Sequence, residues 1–256
     1  MTQQPGDGRD MGASLELLWG SRTRPQRGRP PRLSLDRIVE AAIEVADELA
    51  VTEGIEALSM RCIAKRLGVG TMSLYRYVPG KSELLDLMLD RVIEVREIDP
   101  DDGRTWREIL MDEAHQYWRM CMKHPWYPFV DQSRPVLGPN SVRNLDRMLH
   151  LMRRTIGLDD RTLLMMISVQ NDFVDGLARR YINERRAERR TGISAEEFWC
   201  AQTPALVDAL MTGQFPTMAD LSDNSFDFSH EQLLEFGLNR IHDGFAALID
   251  RSAPAT

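Results

Sequence analysis

The chain has 256 residues, enough for one or two domains and a substantial buried core. Its composition, 43% hydrophobic and 28% charged, is that of a globular protein and excludes wholesale disorder or a fibrous repeat. No apolar run approaches the length of a membrane span, and the N-terminal residues lack the pattern of a secretory signal. The three cysteines are spaced for neither a disulfide framework nor a metal site, so we expect a cytoplasmic protein.

The net charge of −7 is unevenly distributed along the chain. Residues 22–81 carry eleven Lys or Arg against seven Asp or Glu, whereas residues 82–256 carry twenty against twenty-nine. Two stretches, 22–32 and 59–81, each hold five basic residues and no acidic one. This asymmetry predicts a nucleic-acid-binding part followed by a part with a different task.

The predicted elements are helical throughout. Residues 1–33 are rich in Gly, Pro and Arg without periodicity and predict a flexible basic arm, whose contact with DNA stays open. Apolar residues at helical spacing predict the first helix over 34–51, and two short helices follow, separated by a turn at Gly68. Further helices are predicted from Lys81 and at about 104–122, 140–156, 160–190, 195–212 and 230–250, with a long loop over 213–228. The expected fold class is all-α.

Two short helices joined by a glycine-containing turn are typical of the helix-turn-helix, whose second helix enters the DNA major groove. The run LGVGTMSLYRYVPGK, residues 67–81, resembles the DNA-binding segment of TetR-family (tetracycline repressor) transcriptional regulators. The resemblance is strong over 34–95 and looser beyond, where helix lengths and the His124-Pro125 break look like the regulatory domain of the tetracycline-repressor branch. It implies a three-helix DNA-binding domain over 34–81 and a larger helical ligand-binding and dimerisation domain over 82–256.

The resemblance also implies which side chains contact double-stranded DNA. Arg61 would pair with a guanine edge, the outward residues of the second short helix would read bases, and two tyrosines would contact phosphates. The tyrosines could instead belong to the domain core. The expected DNA-contacting set is Ser59, Arg61, Thr71, Met72, Ser73, Tyr75, Arg76, Tyr77 and Lys81. Arg76 and Tyr77 depart from the family's frequent pattern of an aromatic residue followed by His, which leaves the operator sequence open.

A ligand pocket is predicted in the larger domain because polar residues interrupt two apolar helix faces. Glu113 lies on the stripe that begins at Trp106, and Gln170 lies on the apolar face of the helix over 160–190. A carboxylate is costly to bury unless a partner meets it, and that partner could be an effector or a core arginine. The expected ligand-binding set is Trp106, Glu113, Tyr117, Met148, Met152, Met166, Gln170 and Phe173.

A dimer interface is predicted from the last helix. Its apolar residues recur at alternating spacings of four and three, the pattern of a helix that packs at a shallow angle. We expect this helix and the one over 160–190 to pair with their copies in a homodimer, and the alternative is a seam that faces its own subunit's core. The seam consists of Leu234, Leu238, Ile241, Phe245 and Leu248.

The sequence does not indicate an enzyme. It has no Gly-rich phosphate loop, no nucleophile elbow and no metal-binding motif, so we expect no catalysis, no cofactor and no metal-ligating residues, while whether a metal accompanies the ligand stays open. We predict a ligand-responsive transcriptional repressor, released from a palindromic operator by a small apolar or aromatic effector. The alternatives are a helical small-molecule-binding module that does not bind DNA, and a DNA-binding activator. The effector, the operator sequence and the regulated genes stay open.

Overall fold

The structure, a computed structural model, describes residues 10–20, 33–97, 103–222 and 224–252. Throughout these residues the regular elements are helices, as the all-α prediction states. The basic stretch 22–32 lies outside the described part of the chain. The α-helices are α1 (Met11–Gly20), α2 (Leu35–Ala50), α3 (Met60–Leu67), α4 (Thr71–Tyr75), α5 (Lys81–Arg91), α6 (Trp106–Lys123), α7 (Pro139–Thr155), α8 (Asp160–Thr191), α9 (Ala195–Met211), α10 (Pro216–Ala219) and α11 (His230–Ser252).

Helices α2, α3 and α4 pack together as a unit that we call the head. Ser34 and Ser59 begin α2 and α3 as N-caps, each side chain accepting a backbone N–H three residues on. Gly68 ends α3 in the left-handed conformation, with φ of 64°, which glycine adopts without steric cost. The buried side chains of Ile63 and Leu74 hold α3 and α4 on the head's core, so the outer face of α4 points to solvent.

Helix α1 corrects the expectation of a flexible arm for residues 11–20, whereas residues 1–9 and 21–32 lie outside the described part of the chain. It lies along α5, where Ser14 Oγ donates a 2.6 Å hydrogen bond to Asp86 Oδ2 and both side chains are buried. The backbone N–H of Asp10 donates to Glu83 Oε1 at 3.0 Å, and Glu83 is also buried. Buried carboxylates require donors, and α1 supplies them to α5. Only Ser14 and Leu18 of this ten-residue helix are buried, which is too short an apolar pattern to predict it.

The larger part of the chain is built on α5 to α8 and α11 and contains a second apolar core. Helix α6 packs against both α7 and α8, and α11 lies against α8. Ile109, Leu110, Met148, Met152 and Met166 are among the residues that fill this core. The predicted boundaries of these long helices agree with the structure to within about two residues, whereas the predicted loop over 213–228 contains the short helix α10.

Helix α9 contributes no side chain to either core. All of its residues are at least partly exposed, including Phe198, Trp199 and Met211, the last with 82% of its surface accessible. It packs against α10, whose residues are exposed as well. A folded monomer rarely leaves so many large apolar side chains on one segment in water.

The structure places part of the predicted dimer seam inside its own subunit. Leu234 and Leu238 are buried in the core that extends from the head to α6 and α8. Phe245 packs against the second core. Phe173 of α8 fills the space beside Gly237, so this glycine serves a contact within the subunit. The expectation that this seam faces a second copy is therefore wrong for these residues.

Candidate functional site

The candidate DNA-reading surface is formed by the outer sides of α3 and α4. Arg61 and Lys65, four residues apart on α3, are both exposed. On α4, Met72 is 76% exposed and Tyr75 is 45% exposed, and Arg76 follows at the C-cap with its side chain in solvent. Thr71 and Ser73 are half-buried beside them. This surface combines cations, an aromatic ring and no carboxylate, which is the chemistry of a duplex-binding face.

Two of the expected DNA contacts are engaged within the protein. The Tyr77 hydroxyl donates to the backbone carbonyl of Leu33 at 3.1 Å, and its ring packs on the core. Lys81 Nζ donates to the carbonyl oxygens of Ile55 and Glu56, at 3.2 and 3.1 Å. Both side chains therefore join the head to its neighbouring segments, and the phosphate contacts expected of Tyr77 and Lys81 stay predictions.

Ser59 and Arg66 also have internal partners. The Ser59 hydroxyl caps α3 by accepting the Cys62 N–H at 3.3 Å and donates to the Cys62 sulfur. Arg66 pairs with Glu44 and Glu48, so it lies on the side of α3 that faces α2. Among the cations of α3, Arg61 and Lys65 thus remain on the solvent side.

A cleft of about 1380 Å³ lies where the head meets the larger domain. Its walls come from α6 and α8, from the end of α5, from Ile43 of α2 and from the segment after α6. On α6 the lining residues recur at positions 113, 116, 117 and 120, and on α8 at 168, 171, 172, 175 and 179, which is helical spacing. The cleft is therefore lined by one mixed polar face of each helix.

Glu113, one of the expected ligand-binding residues, lines this cleft, but its carboxylate already has hydrogen-bond partners within the protein. Arg147 donates to Glu113 Oε2 at 2.5 Å, and Asn144 donates to Oε1 at 2.7 Å. Arg147 is 5% exposed and Arg96 approaches the same carboxylate at 3.7 Å. The core arginine that the sequence left open as a partner is thus present, and Glu113 is a member of a structural pair.

Six other expected ligand residues lie in the protein core and outside the cleft. Gln170 is 1% exposed, and its carbonyl oxygen lies 2.7 Å from Nε2 of His242, a buried side chain whose pKa burial lowers to about 4. Apolar helix faces bury each other, so the face that carries Gln170 turns away from the cleft. The six residues are Trp106, Met148, Met152, Met166, Gln170 and Phe173.

Tyr117 is the other expected residue that the cleft contains. Its hydroxyl donates to Asp175 Oδ1 at 3.2 Å, and Arg179 pairs with the same carboxylate. Burial, together with nearby Cys121, raises the Tyr117 pKa far above its ordinary value, so the hydroxyl stays protonated. Burial likewise raises the pKa of the lining residue Tyr127. The cleft therefore presents neutral aromatic rings.

Two amides on the cleft walls, Gln116 and Asn171, are absent from the expected ligand-binding set. Gln116 Oε1 and Asn171 Oδ1 are buried oxygen atoms that accept no hydrogen bond from the described part of the chain. The Gln116 amide nitrogen donates to the carbonyl of Glu94 at 3.1 Å, which fixes the orientation of that side chain. Asn171 is adjacent to Gln170, so an argument based on the polar face of α8 would have found it.

Two further findings concern the described residues alone. They contain no cluster of three or more His, Cys, Asp or Glu side chains arranged to hold a metal ion. Among them, no helix combines the length and apolar character needed to cross a membrane.

Family models match both parts of the chain. The model for bacterial regulatory proteins of the tetR family matches residues 42–88. The model for the tetracyclin repressor-like C-terminal domain matches residues 99–249, more than half of the chain.

Curated relatives and solved structures agree with these matches. The HTH-type transcriptional repressor DrrR1 of Streptomyces coeruleorubidus is 47% identical over 97% of this chain and 90% of its own length. The HTH-type transcriptional repressor Rv1353c of Mycobacterium tuberculosis is 27% identical over 94% of this chain and 90% of its own length. The structure of the TetR family protein ActR of Streptomyces coelicolor in complex with actinorhodin superposes with a TM-score of 0.71, at 29% identity, over 88% of this chain and all of that one.

Proposed function

This chain belongs to the TetR family of DNA-binding transcriptional regulators, and we propose that it is a homodimeric repressor released from a palindromic operator when an aromatic effector enters the cleft beside Gln116 and Asn171. Two relatives named as repressors favour repression over activation. The acid-free exposed face of α3 and α4 favours DNA binding over a purely small-molecule-binding module.

One observation carries the effector assignment: a single cleft is lined both by the head and by the helices of the larger domain. Ile43 of α2 and Val92 at the end of α5 lie on one side, and residues of α6 and α8 lie on the other. A molecule bound there contacts the head and the larger domain at the same time. Its effect on DNA binding is limited by its differential affinity for the DNA-bound and released states.

The lining indicates the chemical class of the effector. Tyr117, Tyr127 and Phe129 supply aromatic surface, and the unpaired amide oxygens of Gln116 and Asn171 require hydrogen-bond donors. A hydroxylated aromatic molecule meets both needs. The related protein ActR binds actinorhodin, which makes that compound a reasonable first probe.

The experiment begins with a duplex selected from random DNA by the protein. A panel of hydroxylated aromatic compounds, with actinorhodin included, is then screened for release of that duplex. For an active compound, Asn171→Leu should raise the concentration needed for half-release by about tenfold, as expected when buried hydrogen-bonding groups lose a partner. Gln214→Leu, which changes an exposed amide outside the cleft, is the matched control. Equal responses of both variants would refute the cleft as the effector site.

The homodimer is proposed on a different face from the one that the sequence indicated. Leu164, Met165 and Val169 form an exposed apolar stripe on the outer side of α8, with exposures of 38 to 50%. On α11 a side chain added at Gly244 would meet open space, so another helix can approach there. We place the paired α8 and α11 helices of the two copies on these surfaces, with the exposed apolar residues of α9 adding to the interface.

The dimer is tested by placing a charge within the stripe. Val169→Lys should convert the protein to a monomer at micromolar concentration and abolish binding to a palindromic duplex, because each half-site needs one head. Arg161→Lys, an exposed change on the same helix that keeps the charge, is the control. A Val169→Lys protein that still sediments as a dimer would exclude this face.

A further inference from the structure

Residues 124–130, which we call the wall segment, connect the cleft to the head. His124, Tyr127, Phe129 and Val130 line the cleft. The same segment also bonds to α2, the helix against which α3 and α5 pack. A displacement of the wall segment therefore reaches the helix that supports the DNA-reading surface.

The first attachment is a carboxylate of α2 that serves two rings. Asp47 Oδ1 accepts the Trp126 Nε1–H at 2.7 Å and lies 2.9 Å from His124 Nδ1. Trp126 is fully buried, and an indole nitrogen can only donate. Because an ionised carboxylate only accepts, His124 Nδ1 carries its hydrogen toward Asp47. One side chain of the head thus fixes both residues that flank Pro125.

The second attachment runs through Arg186 of α8. Its Nε donates to the carbonyl oxygen of Ala50, the last residue of α2, at 2.5 Å. Its guanidinium lies over the Phe129 ring, 4.1 Å from the ring centre. Arg186 therefore joins the C-terminal end of α2 to the other end of the wall segment.

We propose that Asp47 is a positioning residue that transmits occupancy of the cleft to the DNA-reading surface. The inference rests on the proposed function, since it concerns the regulation of the same cleft. A molecule that displaces His124, Tyr127 or Phe129 moves the donors bound to Asp47, and α2 follows with α3. Without the Asp47 carboxylate, only the Arg186 contact still joins the wall segment to α2, so much less of the segment's movement reaches α2 and α3.

The test occupies the cleft covalently and so needs no natural effector. In a Cys62→Ser, Cys200→Ser background, which retains the buried Cys121, Asn171→Cys is modified with monobromobimane. DNA binding is measured, before and after modification, on a duplex selected by the unmodified protein. We expect modification to weaken binding about tenfold when Asp47 is present and less than about twofold in Asp47→Asn, since typical couplings lie between about 5- and 150-fold.

The controls separate coupling from loss of structure. Asp47→Asn keeps an oxygen for Trp126, and Trp126→Phe, which removes the donor instead, should show the same loss of coupling. Glu44→Gln removes a carboxylate of α2 that pairs with Arg66 inside the head, and it should keep the tenfold effect. An equal effect of modification in the parent and in both the Asp47 and Trp126 variants would overturn the proposal. No effect in the parent would instead refute the effector cleft, and this inference with it.

Discussion

Loss of the Glu113 carboxylate is predicted to destabilise the fold, because a buried cation depends on it. Arg147 is 5% exposed and bonds Glu113 Oε2 at 2.5 Å, and Arg96 lies 3.7 Å from the same oxygen. In Glu113→Gln the neutral amide can still accept one hydrogen bond, but the guanidinium loses its counter-charge. Asn144 Oδ1, at 3.2 Å, remains as a neutral acceptor for Arg147.

The magnitude follows from the burial of the pair. Removal of one partner of a buried ion pair costs about 3–5 kcal/mol, and the remaining amide acceptor places Glu113→Gln near the lower end, at about 3 kcal/mol. For a chain of this size each kcal/mol lowers the melting temperature by about 2–4 °C. The expected fall is therefore about 6–12 °C, measured by circular dichroism at 222 nm.

Two further variants test the reasoning. Asp160→Asn breaks the exposed Arg153–Asp160 pair and should leave the melting temperature unchanged, since solvent screens exposed pairs. Replacing both partners, as Glu113→Leu with Arg147→Met, should recover most of the stability because no charge is left buried alone. A Glu113→Gln protein that melts with the parent would refute the structural pair and restore Glu113 as a candidate effector anchor.

Three other predictions concern the core and the head. Burial holds the pKa of His242 at about 4, against an ordinary value of 6.5. As pH falls from 6.5 toward 4, His242 therefore takes up a proton in the unfolded chain but not in the folded one. Stability should fall over that interval by up to about 3 kcal/mol, at about 1.4 kcal/mol per pH unit, and urea midpoints should show a shallower decline in His242→Gln. Lys81→Ala should lower the melting temperature while leaving the salt dependence of DNA binding intact, because Lys81 bonds backbone carbonyls; a flatter salt slope would restore its phosphate contact. Arg61→Ala should weaken binding by about 1–3 kcal/mol at one base pair of each half-site, and equal affinity for all operator variants would show that Arg61 does not read a base.

The helices and the DNA-reading surface could be predicted from the sequence because their signals are local. Ser34, Ser59 and Gly68 mark helix ends through contacts within a few residues, and apolar spacing identifies the face of each helix that is buried. The order of two short helices around Gly68 then fixes which side of α4 is exposed. Met72, Tyr75 and Arg76 are exposed on that side, and their choice as DNA-contacting residues came from the resemblance to the TetR family.

The partners of buried polar groups could not be predicted, because they lie far apart along the chain. Glu113 meets Arg147 across 34 residues, and Ser14 meets Asp86 across 72. A stripe of apolar residues shows that a carboxylate is buried, but it does not show whether an arginine or an effector neutralises it. The sequence by itself therefore determined the helices, the head and its exposed reading face. The tertiary structure decided which polar groups pair inside the protein and which, like the amide oxygen of Asn171, have no partner in the described part of the chain, since that depends on how distant helices pack.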